Sequence, residues 1–102
     1  MREHPKVLKK AGISEARYTE LQAICRQYEH YLSGYGGQQG QQRAKLIKAT
    51  AQAVARDDWP VMLESVTRGC RLTELTEKPA CPLNVFTREK LAFFILLHEE
   101  II

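Results

Sequence analysis

The C-terminal stretch from Cys81 to Ile102, CPLNVFTREKLAFFILLHEEII, limits how the rest of the chain can fold. Asn84 predicts the start of a helix, because its side-chain oxygen can accept a hydrogen bond from one of the first free backbone N–H groups. The helix is apolar on two sides: Phe86, Phe93, Phe94, Leu97 and Ile101 form one stripe, and Leu91, Ile95, His98 and Ile102 form a second. The first stripe predicts a core position. The second needs a further covering surface, since a surface helix would present charged residues there.

Length and composition predict one helical domain over residues 1–102. A chain of 102 residues can bury a core without metal or disulfide staples. Its apolar fraction of 44% and charged fraction of 26% are typical of folded globular proteins. The longest apolar run, LAFFILL, is too short to cross a bilayer, and the charged N-terminus does not resemble a signal peptide. We therefore expect a cytoplasmic protein with no membrane partner.

The cysteines and histidines do not form a recognisable chemical site. Cys25, Cys70 and Cys81 have no C-x-x-C spacing and are interpreted as reduced structural thiols, with a zinc site that uses the last two and a histidine as an alternative. Residues 98–100 begin like the H-E-x-x-H motif, but its second histidine would fall at Ile102. No serine or cysteine lies in an activating context. We predict no enzyme activity, catalytic residue, metal, cofactor or small-molecule substrate.

Charge is distributed unevenly along the chain. Residues 1–56 contain ten Lys/Arg and four Asp/Glu, whereas residues 57–102 contain five and eight. This asymmetry indicates an anionic partner or a head-to-tail contact between copies, although solvated helix faces produce it as well.

The first half predicts one long helix between two irregular segments. Residues 1–12 are polar and basic, with proline and glycine breakers, and are predicted to be a mobile arm that could follow phosphates. Ser14 is a good N-cap for a helix over 15–32, where apolar residues recur every three or four positions. Residues 33–42, SGYGGQQGQQ, are predicted to be a flexible connection.

Further helices complete an all-α, compact bundle of about five helices with a C-terminal helix-turn-helix-like unit. They are predicted at 42–56, 59–68 and 71–78, ahead of the final helix from about 84. Asp57 or Asp58 can cap the helix over 59–68, and Gly69 can end it in a left-handed conformation. Pro79 ends the short helix that follows.

The order of helix, Gly69, short helix, turn and long helix is that of a helix-turn-helix motif. In such a motif the first turns of the final helix meet base edges. The predicted DNA-binding residues are therefore Asn84, Thr87, Arg88 and Lys90, together with Arg71 in the short helix. Any small all-α protein contains helix pairs joined by turns, so the motif alone leaves other functions open.

Two parts of the chain resemble a known family. The first is GIS at 12–14 followed by Arg17-Tyr18, Glu20-Leu21, Cys25 and Gln27-Tyr28; the second is Ser65-Val66-Thr67, Gly69, Leu75, Cys81, Phe86, Phe93-Phe94 and Leu96-Leu97. They resemble small phage and prophage proteins of Gram-positive bacteria, related to phage late-gene transcriptional activators, which carry a sigma-factor-like helix-turn-helix. The resemblance implies a helical fold and a role in DNA binding and transcription regulation.

The final helix departs from the family pattern. The family is typically rich in arginine between the positions that match Phe86 and Phe93. This chain has TREKLA at 87–92, with two basic residues and one acidic residue. That composition provides little phosphate neutralisation, on which affinity for DNA mainly depends.

Two hypotheses follow from the sequence. The first is a phage-like, transcription-associated protein that binds duplex DNA through its C-terminal helix-turn-helix. The second is a helical protein-interaction module that has lost DNA binding and that forms a homodimer or docks a partner through Leu91, Ile95 and Ile102.

Overall fold

Six α-helical segments and no strand make up the regular structure of residues 6–69 and 75–101, the part of the chain that the computed structural model describes. They are α1 (Lys6–Lys10), α2 (Glu15–Arg26), α3 (Tyr28–Leu32), α4 (Gly37–Ala55), α5 (Trp59–Arg68) and α6 (Leu83–Glu100), with a 3₁₀ turn at Arg56–Asp58. Gln27 alone separates α2 from α3, so the two count as one bent helix and the bundle has five. The predicted all-α bundle of about five helices is confirmed. None of the described helices has the length and apolarity needed to cross a membrane.

The two longest helices, α4 and α6, form the centre of the bundle and pack against each other. The inward side of α4 is built mainly from small residues: Gly40, Ala44, Ile47, Thr50, Ala51 and Ala55. The inward side of α6 is built from large ones: Phe86, Phe93, Phe94 and Leu97. The large side chains of α6 thus fill the space that the small residues of α4 leave, as close packing requires. The predicted core stripe of the final helix is confirmed.

Helix α2 covers the aromatic part of this core. The ring of Tyr18 meets Phe94 edge to face, with centroids 5.1 Å apart, and Phe94 meets Phe93 in the same way at 5.2 Å. Edge-to-face pairs of this kind place the positive ring edge on the negative ring face. Leu21 and Cys25 follow Tyr18 along the same side of α2 and are fully buried.

The N-terminal segment differs from the predicted mobile arm. Lys6–Lys10 is helical, and Leu8 and Ile13 are 0% and 1% exposed. The Leu8 carbonyl accepts the backbone N–H of Ile13 at 3.0 Å, which closes the end of this short helix. The prediction is wrong for residues 6–12, because Leu8, among the lysines, and Ile13, directly after the segment, anchor it in the core. Residues 1–5 lie outside the described part of the chain.

The predicted flexible connection over 33–42 is helical from Gly37 onward. Gly40 is buried, and a β carbon built on it would lie 2.0 Å from the carbonyl oxygen of Tyr35 and 3.1 Å from Cδ1 of Tyr31. Glycine is therefore present to let α3 and α4 approach closely in a tight hairpin. The conformational freedom of glycine is needed at Gly36, the N-cap residue of α4, because φ there is 78°.

Residues 75–82 form an irregular segment with bends, here called the strap, which leads into α6 and contacts α5 and the 3₁₀ turn. The sequence predicted a helix over 71–78; residues 75–78 are not helical, and residues 71–74 lie outside the described ranges. The physical reason is that backbone N–H groups of the strap bond to carboxylates of neighbouring elements. The helix-turn-helix order is therefore not seen in the described residues as it was predicted.

Candidate nucleic-acid interface on α6

The first two turns of α6 carry three exposed polar side chains on one side. Thr87 and Arg88 follow Asn84 by three and four residues, so each is a neighbour of Asn84 on the helix surface. All three are exposed, and none forms a side-chain hydrogen bond or ion pair with the described residues. An amide, a hydroxyl and a guanidinium are groups that bind base edges and phosphates.

The N-terminus of α6 lies beside these side chains. Pro82 occupies the N-cap position and no side chain caps the helix. The predicted N-cap, Asn84, is already inside the helix. This prediction is wrong because Pro82, with φ of −57° and ψ of 150°, turns the chain earlier, and its carbonyl accepts the N–H of Phe86 at 3.0 Å. The first N–H groups of α6 carry the positive end of the helix dipole.

Lys90 lies on a different side of α6 from Asn84 and Arg88. It comes four residues after Phe86 and three before Phe93, so it belongs to the core-facing side, and it is partly buried. Burial raises the pKa of the Cys25 thiol to about 12, and the charge of Lys90 acts in the opposite direction. The structure therefore separates Lys90 from Arg88. Its spacing from the phenylalanines was a signal that could have shown this.

The predicted protein-interface residues share the side of α6 that carries the DNA-binding candidates. Leu91 and Ile95 continue the helical spacing of Asn84, Thr87 and Arg88, and we call these five residues the outer face of α6. Leu91 and Ile95 are partly buried and pack against the core at their inner edges. The two hypotheses thus compete for one surface. Two further predicted residues, Arg71 and Ile102, lie outside the described residues.

Asp58 fixes the entry into α6. Its Oδ1 accepts the backbone N–H of Ala80 at 3.0 Å, and its Oδ2 accepts that of Cys81 at 3.3 Å. The bond from Ala80 contributes most to holding the pKa of this carboxyl below its usual value, and the bonds from Cys81 add to it. Asp58 stands at the N-cap position of α5, as predicted, but its side chain makes no capping bond there.

Glu64 holds the other end of the strap. Its Oε1 accepts the backbone N–H of Thr76 and its Oε2 accepts the Thr76 hydroxyl, both at 2.7 Å. Arg68, one turn along α5, donates to the same Oε2 at 3.0 Å. The Thr76 hydroxyl, then its N–H, and then Arg68 lower the pKa of Glu64. Two carboxylates on neighbouring elements thus define the path of the chain into the candidate interface.

Arg17 holds the far end of α6, a role that the sequence did not reveal. Its Nε donates to Nδ1 of His98 at 3.0 Å, and its guanidinium also bonds the carbonyl of Ile101 and the carboxylate of Glu20. A cation at a helix C-terminus is stabilised by the free carbonyls and by the helix dipole. Since His98 and Ile101 are 81 and 84 residues away in sequence, no local pattern could have indicated the contact.

The cysteine environments do not favour nucleophilic chemistry. The Cys81 thiol donates to Oε1 of Glu89 at 3.5 Å. Burial, and then the neighbouring carboxylates of Asp58 and Glu89, raise its pKa to about 11, which disfavours the reactive thiolate. No three His, Cys, Asp or Glu side chains converge as a metal site within residues 6–69 and 75–101. Cys70, part of the alternative zinc site, lies outside those ranges.

Comparison of this chain with protein-family models, curated proteins and solved structures gives no match. The resemblance to phage late-gene transcriptional activators therefore stays a prediction, and the functional argument depends on the geometry of α6.

Proposed function

We propose that this chain is a small helical DNA-binding protein, associated with transcription, that contacts duplex DNA through the first two turns of the outer face of α6. The observation that carries the proposal is the group of three exposed side chains, Asn84, Thr87 and Arg88, on one side of the helix and without intramolecular partners in the described chain.

The chemistry of each group suits a part of the duplex. Arginine can donate two hydrogen bonds to guanine O6 and N7, and asparagine can make a paired contact to adenine N6 and N7. The threonine hydroxyl and the uncapped N–H groups of α6 suit phosphate oxygens. Asp58 and the strap set where this helix begins, so they determine which side chains reach the groove.

The test is fluorescence anisotropy of labelled duplex DNA with the purified chain at low salt. We expect the triple variant Asn84→Ala, Thr87→Ala, Arg88→Ala to bind at least about tenfold more weakly, since each good side-chain contact to a base contributes about 1–3 kcal/mol. Loss of the Arg88 charge should also reduce the dependence of log K on log salt by about 1 if it contacts a phosphate.

Lys78→Ala is the matched control for Arg88→Ala. Lys78 is an exposed cation of the strap, so its loss changes the net charge equally without altering the outer face of α6. Circular dichroism verifies that each variant keeps its helices. DNA binding that is absent at low salt, or that is equally affected in the triple variant and the control, would contradict the proposal.

A second candidate is the helical interaction module, favoured by the incomplete burial of Leu91 and Ile95 on the same face. Leu83, at the start of α6, is 58% exposed and adds apolar surface beside it. Exposed apolar surface of this kind is typical of contacts between proteins. In this case a second copy of the chain or another protein would cover the outer face.

Light scattering over a range of protein concentrations tests this candidate. A dimer should dissociate in Leu83→Glu, which leaves the core intact, and in the double variant Leu91→Glu, Ile95→Glu. Since Leu91 and Ile95 also pack on the core, the double variant should in addition lower the stability of the monomer. A chain that stays monomeric at high concentration excludes the homodimer.

A further inference from the structure

Among the described helices of ten or more residues, α4 is the one that contains no acidic residue. Over the 19 residues of Gly37–Ala55 it has three basic residues, Arg43, Lys45 and Lys48, and five glutamines. The other helices of ten or more residues each contain glutamate: Glu15 and Glu20 in α2, Glu64 in α5, and Glu89, Glu99 and Glu100 in α6. Among the described helices of ten or more residues, α4 is therefore the one whose charged side chains are all basic.

Five of the exposed residues of α4 form a continuous stripe. Gln38, Gln41, Lys45, Lys48 and Gln52 are spaced alternately by three and four residues, and all five are exposed. We call them the α4 polar stripe. It lies opposite the buried small residues of the same helix. At 1.5 Å per residue it is about 21 Å long.

One lysine of the stripe is already held in place. Nζ of Lys48 lies 5.5 Å from the centroid of the Trp59 ring, a distance at which a cation is attracted by the ring face. This contact restrains the ammonium group at the surface without neutralising it. Trp59 is the single tryptophan of the chain, so its fluorescence reports on the surroundings of Lys48.

We propose that the α4 polar stripe binds the phosphate backbone of duplex DNA as a second contact surface, distinct from α6. The inference rests on the proposed function and extends it. The argument is charge complementarity: two lysines neutralise phosphates, the glutamine amides donate to phosphate oxygens, and no carboxylate on α4 repels them. A duplex presents about twelve phosphate charges along 21 Å of its axis, so the length of the stripe is sufficient for several contacts.

The contact is independent of sequence, in contrast to the predicted reading by Asn84 and Arg88. It accounts for part of the basic excess of residues 1–56, which the sequence had indicated only as a general preference for an anionic partner. The acidic half of a second copy of the chain is the competing anionic surface, and the experiment separates the two.

The first measurement is the salt dependence of duplex binding for the double variant Lys45→Gln, Lys48→Gln. We expect the slope of log K against log salt to fall by about 2, and the affinity at low salt to fall by at least about tenfold. Lys45→Arg, Lys48→Arg should keep the wild-type slope. Lys45→Gln and Lys78→Gln remove one positive charge each, and only the first should change the slope.

The second measurement is the fluorescence of Trp59 during titration with unlabelled duplex. Engagement of Lys48 by a phosphate should change the emission of Trp59 in the wild type, and the change should be absent in the double variant. This readout is local to α4, and the α6 triple variant should retain it at saturating DNA.

The outcomes separate this inference from the proposed function. If the salt slope is unchanged in the α4 double variant and binding is lost in the α6 triple variant, the α4 polar stripe does not bind DNA and the α6 interface remains supported. If the salt slope falls in the α4 double variant and the α6 triple variant binds like wild type, DNA binding by the α4 polar stripe is supported and the α6 interface is contradicted. Wild-type protein that does not bind duplex at low salt overturns both. Salt-sensitive self-association that Lys45→Gln, Lys48→Gln abolishes, without DNA binding, identifies a second copy as the partner and overturns the inference.

Discussion

Helices α4 and α6 are almost equal in length, with 19 and 18 residues, and they pack on each other, but they contribute to the core in opposite ways. The inward side of α4 leaves room for side chains of other elements, because it is largely glycine and alanine. The inward side of α6 fills that room, because it consists of phenylalanine and leucine side chains. The pair should therefore respond oppositely to mutation: α4 should tolerate enlargement poorly, and α6 should tolerate truncation poorly.

The two helices also differ in how their ends are fixed. The start of α4 is fixed by the backbone, since Gly40 lies against the carbonyl of Tyr35. The start and end of α6 are fixed by charged side chains of other elements, Asp58 and Arg17. Changes in charge should therefore affect the two ends of α6, whereas changes in side-chain size should affect the start of α4.

The largest effect is expected from truncation in α6. Phe93 is 0% exposed, and Phe93→Ala should lower the free energy of unfolding by about 3–5 kcal/mol, through lost burial and an unfilled cavity. Urea denaturation followed by circular dichroism measures this change. Phe93→Leu, which keeps much of the volume, should cost clearly less. Equal costs for the two variants would contradict the view that α6 fills the core.

Enlargement in α4 should come next. Gly40→Ala places a methyl group against the Tyr35 carbonyl, so the backbone must move, and we expect a loss of roughly 2–3 kcal/mol. Helix propensity favours alanine by about 1 kcal/mol and therefore opposes this effect.

Gly37→Ala is the matched control, because a β carbon there meets nothing within 4 Å, although φ is +58°. It should cost only about 1–2 kcal/mol, from the left-handed backbone. A Gly40→Ala variant as stable as wild type in the same urea denaturation would disprove the close approach of α3 and α4.

A smaller effect is expected where α2 holds the end of α6. Arg17→Met keeps most of the aliphatic packing but removes the bonds to His98 and Ile101, and it should cost about 1–2 kcal/mol. Hydrogen exchange should show faster exchange in the last turn of α6. Arg26→Met is the control: this exposed arginine lies over Gly69 at the end of α5, and its loss should cost less than about 0.5 kcal/mol. The same exchange rates in both variants would contradict the role of Arg17.

The smallest effect is a pH dependence at the start of α6. The N–H groups of Ala80 and Cys81 lower the pKa of Asp58, so its contribution to stability is present above the unfolded value of about 3.9 and is lost as the pH falls through the lower folded value. Asp58→Asn should therefore lose less stability than wild type when urea midpoints are compared between about pH 5 and pH 2. Asp57→Asn, at the exposed neighbouring position, should follow the wild type. Identical pH profiles for wild type and Asp58→Asn would contradict a stabilising contribution of the Asp58 hydrogen bonds to the strap.

Much of the helical framework could be predicted because its signals are local. The helix over 59–68 and its left-handed end at Gly69 were predicted correctly, and the final helix begins at Leu83, one residue before the predicted 84. Large apolar residues at helical spacing identify the buried side of α6 without knowledge of its partner. Helix-ending glycine and helix-starting proline are recognised in the same way.

The errors occurred where a distant partner decides the structure. Gly40 indicates flexibility until Tyr31 and Tyr35 are placed against it, and the lysines around Leu8 conceal its burial. The strap was predicted to be part of a helix, but the carboxylates that bind its N–H groups are 12, 22 and 23 residues away in sequence. Propensity does not include such contacts, which form only when the chain has folded.

The candidate site on α6 was predicted only in part from the sequence. The exposure of Asn84, Thr87 and Arg88 follows from their spacing opposite the phenylalanine stripe, and the sequence was sufficient for it. Lys90 was grouped with them because it is close in sequence and basic, although its spacing from Phe86 puts it on the core side. Whether DNA or a second protein covers the outer face cannot be decided by spacing, since both partners would use the same residues.

The strap gives the two described cysteines different routes to solvent. Thr76, Ala80 and Cys81 are held by side-chain carboxylates of α5 and the 3₁₀ turn, and Leu75 and Cys81 are only partly buried against the core. We therefore expect the strap to open at a lower free energy than the packed core of α4 and α6. Cys25 is 0% exposed inside that core. In a Cys70→Ser background, a thiol-reactive reagent would then modify Cys81 at the rate of local opening and Cys25 only at the rate of global unfolding. The chain thus contains a separate kinetic reporter for each kind of opening.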